Sequence, residues 1–572
     1  MKLSDYVAQF LRKKGVRYVF GYQGGSITHL IDSVYKTDGL EYIQNYHEQG
    51  SAMAADAYGR IAEEGIGVAI ASNGPGATNL LTGIANAYCD SVPAMFITGQ
   101  VHTYAMKKNG VRQESFQEID ILSMAKPVTK YCVTVMKPEE ICYELEKAYY
   151  IATTGRKGPV LVDIPVDVQG MDIEPDKCRQ YETEVEMEYE LDEDIIEKVK
   201  ELLNSSERPV ILVGGGVRQS GAARAVKSFA EKYDLPVVAS LQGLDVLPHS
   251  SSSFVGFIGG YGNRAANIVL QNADVVLILG SRVDFRQTGK NVAGFIKNSK
   301  IIHVDIDRSE LEHKLPKAVN VQCDIGEFMK SLEKCNLNRH DKWLQKVSEL
   351  KRQFTDINSE WDWKKYGYIL TDIGKCISKP TVVVADVGQN QMWVAKYLRA
   401  ASEEFRLLNS GGLGAMGYSL PGCIGAYYAN PDYHIVGIMG DGGLQMNIQE
   451  LGVIGGRQLP VTVIVLNNHS LGMIRDVHEK YYDKRYAGSV WGFEMPQLSR
   501  VAQAYNINYL YVDNADMSNV LKAVESRKPY IIEINMNEET YISPELVGMK
   551  SIDDMQPELR AEEKQCIMNL LN

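Results

Sequence analysis

Short apolar runs that end in glycine turns and lead into helical patterns recur along the whole chain. One run, residues 68–71, is followed by the glycine turn 73–76 and a helical pattern, and 94–97 is the next apolar run. Another run, 209–213, leads directly into three consecutive glycines at 214–216. A strand, a glycine turn, a helix and a second strand in this order are typical of parallel β-α-β units. The sequence therefore predicts an α/β fold made of doubly wound parallel sheets.

The alternating pattern falls into three stretches, which fits a chain of 572 residues at about 150 residues per domain. We expect domains over 1–175, 190–340 and 360–540, each with one doubly wound sheet. The residues 541–572 show no clear strands, and we expect a tail that lies over the body of the molecule or over a partner. The polar, acidic residues 176–194 indicate a linker, since charge runs of this kind are usually solvated.

Composition excludes several classes of protein. The 60 Lys and Arg residues against 72 Asp and Glu give a net charge of −12, which argues against a nucleic-acid-binding protein, because such proteins carry a basic face. The nine cysteines are scattered without a C-x-x-C pair, as expected for reduced thiols in a cytoplasmic protein. No run reaches the roughly 18 apolar residues of a membrane span, and the first residues lack the apolar run of a secretion signal.

The strongest local signal is a Gly-Asp-Gly motif at 440–442, which follows the predicted strand 434–439. After a helical pattern comes a second strand, 461–466, which ends in two asparagines, the second being Asn468. Parallel strands joined by a right-handed crossover end at the same edge of their sheet, so Asp441 and Asn468 should lie close together. Both offer the oxygen ligands that Mg²⁺ prefers, and glycine turns let backbone N–H groups approach phosphates. The pattern predicts a site for Mg²⁺ and a diphosphate.

This arrangement resembles the metal and diphosphate motif of thiamine-diphosphate enzymes, and motifs along nearly the whole chain resemble acetolactate synthase large subunits. The motifs that carry the resemblance are Gly21-Tyr22-Gln23-Gly24-Gly25, His47-Glu48-Gln49-Gly50, Gly74-Pro75-Gly76-Ala77-Thr78-Asn79, Phe116-Gln117-Glu118, Asp386-Val387-Gly388-Gln389 and Gly411-Gly412-Leu413-Gly414-Ala415-Met416-Gly417. The resemblance implies that the first domain binds the pyrimidine ring of the cofactor, that the second is a central Rossmann-like domain, and that the third binds the diphosphate and Mg²⁺.

The same resemblance implies roles for individual residues. Glu48 would share a proton with the aminopyrimidine ring and so activate the cofactor, with Gln117 and Lys130 as further catalytic residues. Asp441 and Asn468 would bind the metal by side chain and Ser470 by its carbonyl. Met416 would be an apolar wedge that holds the cofactor bent. The implied cofactor contacts are Gly25, Pro75, Asn79, Val387, Gly388, Gln389, Asn390, Gly414, Met416, Gly440, Gly442, Gly443, Leu471, Gly472 and Met473.

The middle domain has features of a site for a second cofactor, a dinucleotide. Glycine turns after strands and an aspartate after a later strand are features of Rossmann-type sites, and the resembling enzymes hold FAD here. A glycine turn alone also occurs without a ligand. The implied FAD contacts are Gly259, Gly262, Arg282, Asp284, Arg286 and Asp305.

Several positions depart from the acetolactate synthase pattern. Gln23 and His102 stand where that family has proline, and Asn390 replaces a histidine. Val477 replaces a tryptophan that shapes the acceptor pocket, which Phe116 is also implied to line, and the smaller side chain opens space for a larger acceptor. Relatives that attach a two-carbon unit to nucleotide-linked keto-sugars resemble the chain over its whole length. The acceptor is therefore less well defined than the donor, pyruvate.

Three functions stay open at this point. The first is a carboligase that decarboxylates pyruvate and joins the two-carbon unit to a second carbonyl compound, either a 2-oxo acid, giving acetolactate, or a nucleotide-linked keto-sugar, giving a branched sugar. The second is a pyruvate oxidase or decarboxylase on the same scaffold, and the third is a non-enzymatic nucleotide-binding regulatory protein. For the enzymes, the resemblance implies a homodimer or homotetramer with active sites at the subunit interface.

Overall fold

Three six-stranded parallel sheets follow one another along the chain. The structure is a computed structural model, and it describes residues 1–107, 110–182, 191–312, 314–315, 317–354, 364–513 and 517–571. The central part of the predicted linker, residues 183–190, lies outside the described residues. Helices flank each sheet, which confirms the predicted α/β class with three doubly wound sheets. The domain boundaries stay predictions.

The first sheet has the strand order β2-β1-β3-β4-β6-β5. Its strands are β1 Tyr18–Tyr22, β2 Glu41–Gln44, β3 Gly67–Ala71, β4 Ala94–Gln100, β5 Tyr131–Thr134 and β6 Pro159–Pro165. Its helices are α1 Leu3–Lys13, α2 Thr28–Lys36, α3 Glu48–Ile61, α4 Pro75–Asn79, α5 Leu81–Cys89, α6 Ile121–Ala125, α7 Ile141–Thr153 and α8 Val166–Gly170. The strands β3, β4 and β6 are buried along their whole length, as expected for central strands that helices cover on both faces.

The middle sheet has the order β12-β11-β10-β7-β8-β9. Its strands are β7 Pro209–Val213, β8 Val237–Ala239, β9 Phe254–Phe257, β10 Val275–Leu279, β11 Lys300–Asp305 and β12 Val319–Gln322. Its helices are α9 Glu193–Asn204, α10 Gly216–Gln219, α11 Ala223–Tyr233, α12 Arg264–Gln271, α13 Phe285–Thr288, α14 Arg308–Glu312, α15 Ile325–Glu333 and α16 Asp341–Gln353. Counted from β9, this is the 3-2-1-4-5-6 order of dinucleotide-binding folds, whose ligand crevice lies between the first and fourth strands.

The third sheet, β14-β13-β15-β16-β18-β17, repeats the order of the first. Its strands are β13 Thr381–Ala385, β14 Phe405–Asn409, β15 His434–Gly440, β16 Val461–Asn467, β17 Asn508–Val512 and β18 Tyr530–Asn535. Its helices are α17 Lys364–Cys376, α18 Gln389–Tyr397, α19 Ser419–Ala429, α20 Asp441–Met446, α21 Leu451–Arg457, α22 Gly472–Tyr481, α23 Leu498–Ala504 and α24 Met517–Glu525. The order changes direction between β13 and β15, which places a topological switch point there.

The first and third domains pack on each other through α3 and α19. The helix α3 is rich in alanine, and a Cβ on Gly425 of α19 would lie 2.0 Å from the carbonyl oxygen of Ala54, so the two backbones are in contact. The Tyr418 hydroxyl donates a 2.6 Å hydrogen bond to Asp56, which also accepts a 2.7 Å bond from Arg60 Nε. The buried charges at this interface are thus paired, as buried charges must be.

The residues after β18 lie over the middle domain. Leu546 N donates to Gly260 O at 2.7 Å, and Asn267 Nδ2 donates to Ile552 O at 2.9 Å. Ile552 is buried in the core of the middle domain, and the last helix, α25 Ala561–Leu571, contacts α16. Among the described residues, no helix has the length and apolarity needed to cross a membrane.

Candidate active site

Three turns meet at the carboxyl edge of the third sheet, where its strand order changes direction. They follow β13, β15 and β16, which are neighbours in the sheet, and they carry residues 386–389, 440–443 and 468–472. Ligands of open parallel sheets bind at such a switch point. The structure therefore brings the two halves of the predicted metal motif to one place.

Asp441 begins α20 and is only 1% exposed. Its Oδ1 accepts a 2.9 Å hydrogen bond from Gly442 N, whereas Oδ2 is buried without a hydrogen-bond partner. Burial raises the pKa of Asp441 to about 6. Because a buried polar atom without a partner is unfavourable, this oxygen fits a site that a cation completes.

The turn after β16 adds further oxygens beside Asp441. Asn468 and Ser470 are buried, and the Ser470 hydroxyl has no hydrogen-bond partner. His469 between them has a φ of 54°, a left-handed conformation that turns the chain sharply. Among the described residues, no three His, Cys, Asp or Glu side chains form a metal cluster. Asp441 would thus be the one charged protein ligand of this set, with amide, carbonyl and diphosphate oxygens beside it, as Mg²⁺ sites commonly have.

Glycines allow the turns to approach each other. A Cβ on Gly472 would lie 2.1 Å from Gln389 Oε1, and a Cβ on Gly442 would lie 2.5 Å from Leu471 Cδ2 and 3.5 Å from Met416 Cε. The edge gathers many of the predicted cofactor contacts, namely Gly388, Gln389, Asn390, Met416, Gly440, Gly442, Gly443, Leu471 and Gly472. Gly414 lies in the loop before α19 with a φ of 71°, and Met473 lies half-buried in the first turn of α22.

Asp386 organises this edge, a role that the motif resemblance did not assign. Its carboxylate accepts backbone hydrogen bonds from Val387 at 2.8 Å and from Gly417 and Ser419 at 2.9 Å. These bonds join the turn after β13 to the loop that carries Met416. Burial raises the pKa of Asp386 to about 6, although the three N–H donors act in the opposite direction. The sequence signal was an aspartate directly after an apolar strand.

Glu48 begins α3 at the carboxyl edge of the first sheet and is 8% exposed. Its Oε2 accepts a 2.9 Å hydrogen bond from Asn79 Nδ2, and its Oε1 lies 3.1 Å from the position of a Cβ on Gly76. Pro75 occupies the first turn of α4 after Gly74, whose φ is 60°. A Cβ on Gly25 would meet nothing within 4 Å, so open space adjoins that turn. The glycine-proline turn thus holds the carboxylate in a narrow, largely buried place.

A carboxylate of the third domain supports the turn that carries Glu48. Glu450 is fully buried and accepts hydrogen bonds from Asn45 Nδ2 at 2.8 Å and from Tyr46 N at 3.1 Å. A Cβ on Gly50 would lie 2.5 Å from Glu450 Oε1, which explains the glycine of the His-Glu-Gln-Gly motif. Burial raises the pKa of Glu450 to about 7. The resemblance did not identify this residue.

The predicted substrate residues lie in different surroundings. Gln117 has a φ of 61°, and its carbonyl accepts a 3.1 Å hydrogen bond from Asn73 beside the glycine-proline turn, whereas Phe116 is 86% exposed. Lys130 is directed elsewhere: its ammonium donates to Ile151 O and Thr154 O at the end of α7, and burial lowers its pKa to about 8. A catalytic role for Lys130 stays a prediction.

Val477 lies on α22, the helix that follows the turn 468–472 with the predicted metal ligands Asn468 and Ser470, and is 39% exposed. Ile474, one turn earlier, is also exposed. Side chains three residues apart share a helix face, so these two aliphatic residues form one open apolar surface next to the turn 468–472.

Glu48 and the predicted metal ligands lie in different domains of the chain. Glu48 is bound by Asn79 of its own domain, and Asp441 by Gly442 of the third domain. No hydrogen bond between described residues connects Glu48 with the predicted metal ligands Asp441, Asn468 and Ser470.

A cavity of about 330 Å³ lies at the switch point of the middle sheet. The turns after β7 and β10 form part of its wall, and Gly216 N donates a 3.0 Å hydrogen bond to Gly280 O between them. Four of the predicted FAD contacts line it: Arg282, Asp284, Arg286 and Asp305. Gly259 and Gly262 are not among its lining residues; a Cβ on Gly259 would lie 2.2 Å from Arg286 O, so that turn packs behind the wall. The missed lining residues include Arg156 and Arg406, from the first and third domains.

Comparison with known proteins gives consistent matches for all three domains. Residues 1–124, 196–332 and 386–534 match the family models described as the N-terminal TPP-binding, central and C-terminal TPP-binding domains of thiamine pyrophosphate enzymes. The chain is 36% identical to the acetolactate synthase large subunit of Lactococcus lactis, covering 96% of this chain and 95% of that protein. It is 34% identical to the acetolactate synthase isozyme 2 large subunit of Escherichia coli, over 94% and 96%. The chain belongs to the acetolactate synthase large-subunit family.

Membership of the acetolactate synthase family confirms the resemblance on which the cofactor assignment depended. The protein is a thiamine-diphosphate-dependent enzyme, so the interpretation as a non-enzymatic regulatory protein is not supported. A probable acetolactate synthase large subunit of Methanocaldococcus jannaschii is 35% identical over 93% of this chain and 92% of that protein. The roles of individual residues in this acetolactate synthase homologue stay predictions.

Proposed function

We propose that the protein decarboxylates pyruvate and joins the two-carbon unit to a second 2-oxo acid, forming acetolactate, with Mg²⁺ and thiamine diphosphate at the edge of the third sheet. The observation that carries the proposal is the buried, unpartnered Oδ2 of Asp441 beside Asn468 and Ser470. The similarity to acetolactate synthase large subunits supports the reaction. It does not favour the alternative of a pyruvate oxidase or decarboxylase.

The carboxyl edge of the third sheet, with the turns 386–389, 440–443 and 468–472, is here called the metal edge, and its residues would hold the charged end of the cofactor. Asp441 supplies the negative charge, Asn468 and Ser470 supply neutral oxygens, and Met416 packs beside them as an apolar support. When bound, thiamine diphosphate would supply a nucleophilic carbon for the 2-oxo acid carbonyl and a ring that takes up the electron pair left behind when CO₂ departs. The protein therefore has to bind and orient the cofactor and the 2-oxo acid at this edge and to exclude water from it.

Glu48 would hold the proton that activates the cofactor. The bond from Asn79 occupies Oε2 and leaves Oε1 toward the glycine turn, where a ring nitrogen can share its proton. A general acid–base group of this kind contributes on the order of 10²–10⁴-fold to the rate. Gln117 lies beside the same turn and is positioned for a substrate role, with Phe116 at its exposed side.

We propose that a second copy of the chain completes the site, as the resemblance to acetolactate synthase large subunits implies. In a homodimer or homotetramer, Glu48 of one subunit would face the metal edge of another. This assembly would be cytoplasmic, as the unpaired cysteines suggest. Sedimentation with and without cofactor tests it, and a fully active monomer would contradict it.

For the middle cavity we propose FAD. The Rossmann strand order, the glycine turn after β7 and Asp305 at the end of β11 support a dinucleotide. Flavin fluorescence released from the purified protein by heat tests this assignment, and protein that is active without any flavin would refute a requirement for it.

A second candidate acceptor is a larger carbonyl compound, such as a nucleotide-linked keto-sugar. The exposure of Val477 and Ile474 beside the turn 468–472 favours it, because this surface leaves room that a tryptophan would fill. Product analysis decides between the proposals. Pyruvate alone should give acetolactate; a branched sugar formed faster with a keto-sugar would favour the second candidate, and acetate, acetyl phosphate or acetaldehyde alone would refute carboligation.

A further inference from the structure

The segment after β18 crosses the metal edge and places one hydroxyl between two of its side chains. Thr540 is fully buried. Its Oγ1 donates a 2.7 Å hydrogen bond to Gln389 Oε1 and accepts a 2.9 Å bond from Asn468 Nδ2. Its backbone carbonyl accepts a 2.7 Å bond from Gln389 Nε2. One residue thus contacts both a predicted metal ligand and a predicted cofactor contact.

Only one arrangement of donors and acceptors satisfies all three hydrogen bonds of Thr540. A backbone carbonyl accepts and never donates, so the Gln389 amide must direct its NH₂ to Thr540 O and its oxygen to the Thr540 hydroxyl. The single hydroxyl proton is then used toward Gln389, and the hydroxyl can only accept from Asn468. This requires the NH₂ of Asn468 to face Thr540, which leaves Asn468 Oδ1 as the atom directed elsewhere.

The orientation of the Asn468 amide matters for the cation. An amide oxygen is a ligand for Mg²⁺, whereas an NH₂ group carries two hydrogens and repels it. Gly472 keeps the arrangement compact, since a Cβ there would lie 2.8 Å from Asn468 Nδ2. We infer that Thr540 is a positioning residue that fixes the Asn468 amide with its oxygen toward the metal. This inference rests on the proposed metal site.

The test measures Mg²⁺-dependent binding of thiamine diphosphate to the full chain by calorimetry. Thr540→Val keeps the shape of the side chain but removes the hydroxyl, and we expect the apparent Mg²⁺ affinity to fall on the order of tenfold, the worth of one buried hydrogen bond. Thr540→Ser should restore it. The matched control is Thr381→Val, another buried threonine of the third domain, at the opposite end of β13, which should leave the Mg²⁺ affinity unchanged.

A second background separates orientation from general packing. In Asn468→Asp, both terminal atoms are oxygens, so there is no amide to orient. We expect Thr540→Val to have no further effect on Mg²⁺ affinity in that background. An equal loss in both backgrounds, or unchanged affinity of Thr540→Val in the native background, would overturn the inference. If the unaltered protein itself showed no Mg²⁺-dependent binding, the proposed metal site would fail instead.

Discussion

Replacing Glu48 by glutamine separates its chemical role from its structural one. The amide oxygen of glutamine still accepts the 2.9 Å hydrogen bond from Asn79 Nδ2, so the turn should keep its shape. The free energy of unfolding should fall by about 0.5–1.5 kcal/mol, because the bond from Asn79 loses its charged acceptor. What is lost in catalysis is the proton-sharing carboxylate, worth about 10²–10⁴-fold, or roughly 3–5 kcal/mol in the barrier.

The assay compares CO₂ release from pyruvate with thermal stability and cofactor affinity. We expect Glu48→Gln to lose at least about a hundredfold in rate while its melting temperature and its affinity for thiamine diphosphate stay close to native. Glu63→Gln, which alters an exposed glutamate after α3, is the control and should match the native protein. A Glu48→Gln variant with a near-native rate would refute the proton-sharing role, and one that fails to fold would show that the carboxylate is mainly structural.

Asp441→Ala should abolish Mg²⁺-dependent binding of thiamine diphosphate, because it removes the one charged ligand; equal calorimetric affinity with and without a chelator would show the motif was misinterpreted. Val477→Trp should slow ligation to a bulky acceptor and leave CO₂ release from pyruvate largely intact, since close-packed sites respond to even one methylene; a parallel fall in both rates would contradict the wide pocket. Lys130→Met should lower the melting temperature by uncapping α7; a fall in kcat/KM without a change in melting temperature would support the predicted catalytic role.

The fold and the metal edge were predictable because they depend on local patterns. Apolar runs followed by glycine turns define parallel strands, and the ends of parallel strands share an edge. For this reason the sequence alone places Asp441 and Asn468, 27 positions apart, at one edge of the sheet.

The supporting side chains were not predictable for the opposite reason. Glu450 contacts Asn45 from the other end of the chain, and Thr540 contacts Gln389 from 151 residues away. The local sequence around Glu450 or Thr540 does not predict which residue each of them contacts.

The first and third sheets share one strand order, which indicates how the chain could have evolved. Two sheets with the order 2-1-3-4-6-5 in one chain point to duplication of a single ancestral α/β unit. By this correspondence the Gly74-Pro75 turn after β3 is the counterpart of the Gly440-Asp441 turn after β15. The third sheet carries Asp441, the proposed cation ligand, in this turn, whereas the first sheet carries Glu48 after its second strand. The two sheets would thus contribute different parts of one site, the third the contacts to the diphosphate and the first the proposed proton-sharing carboxylate.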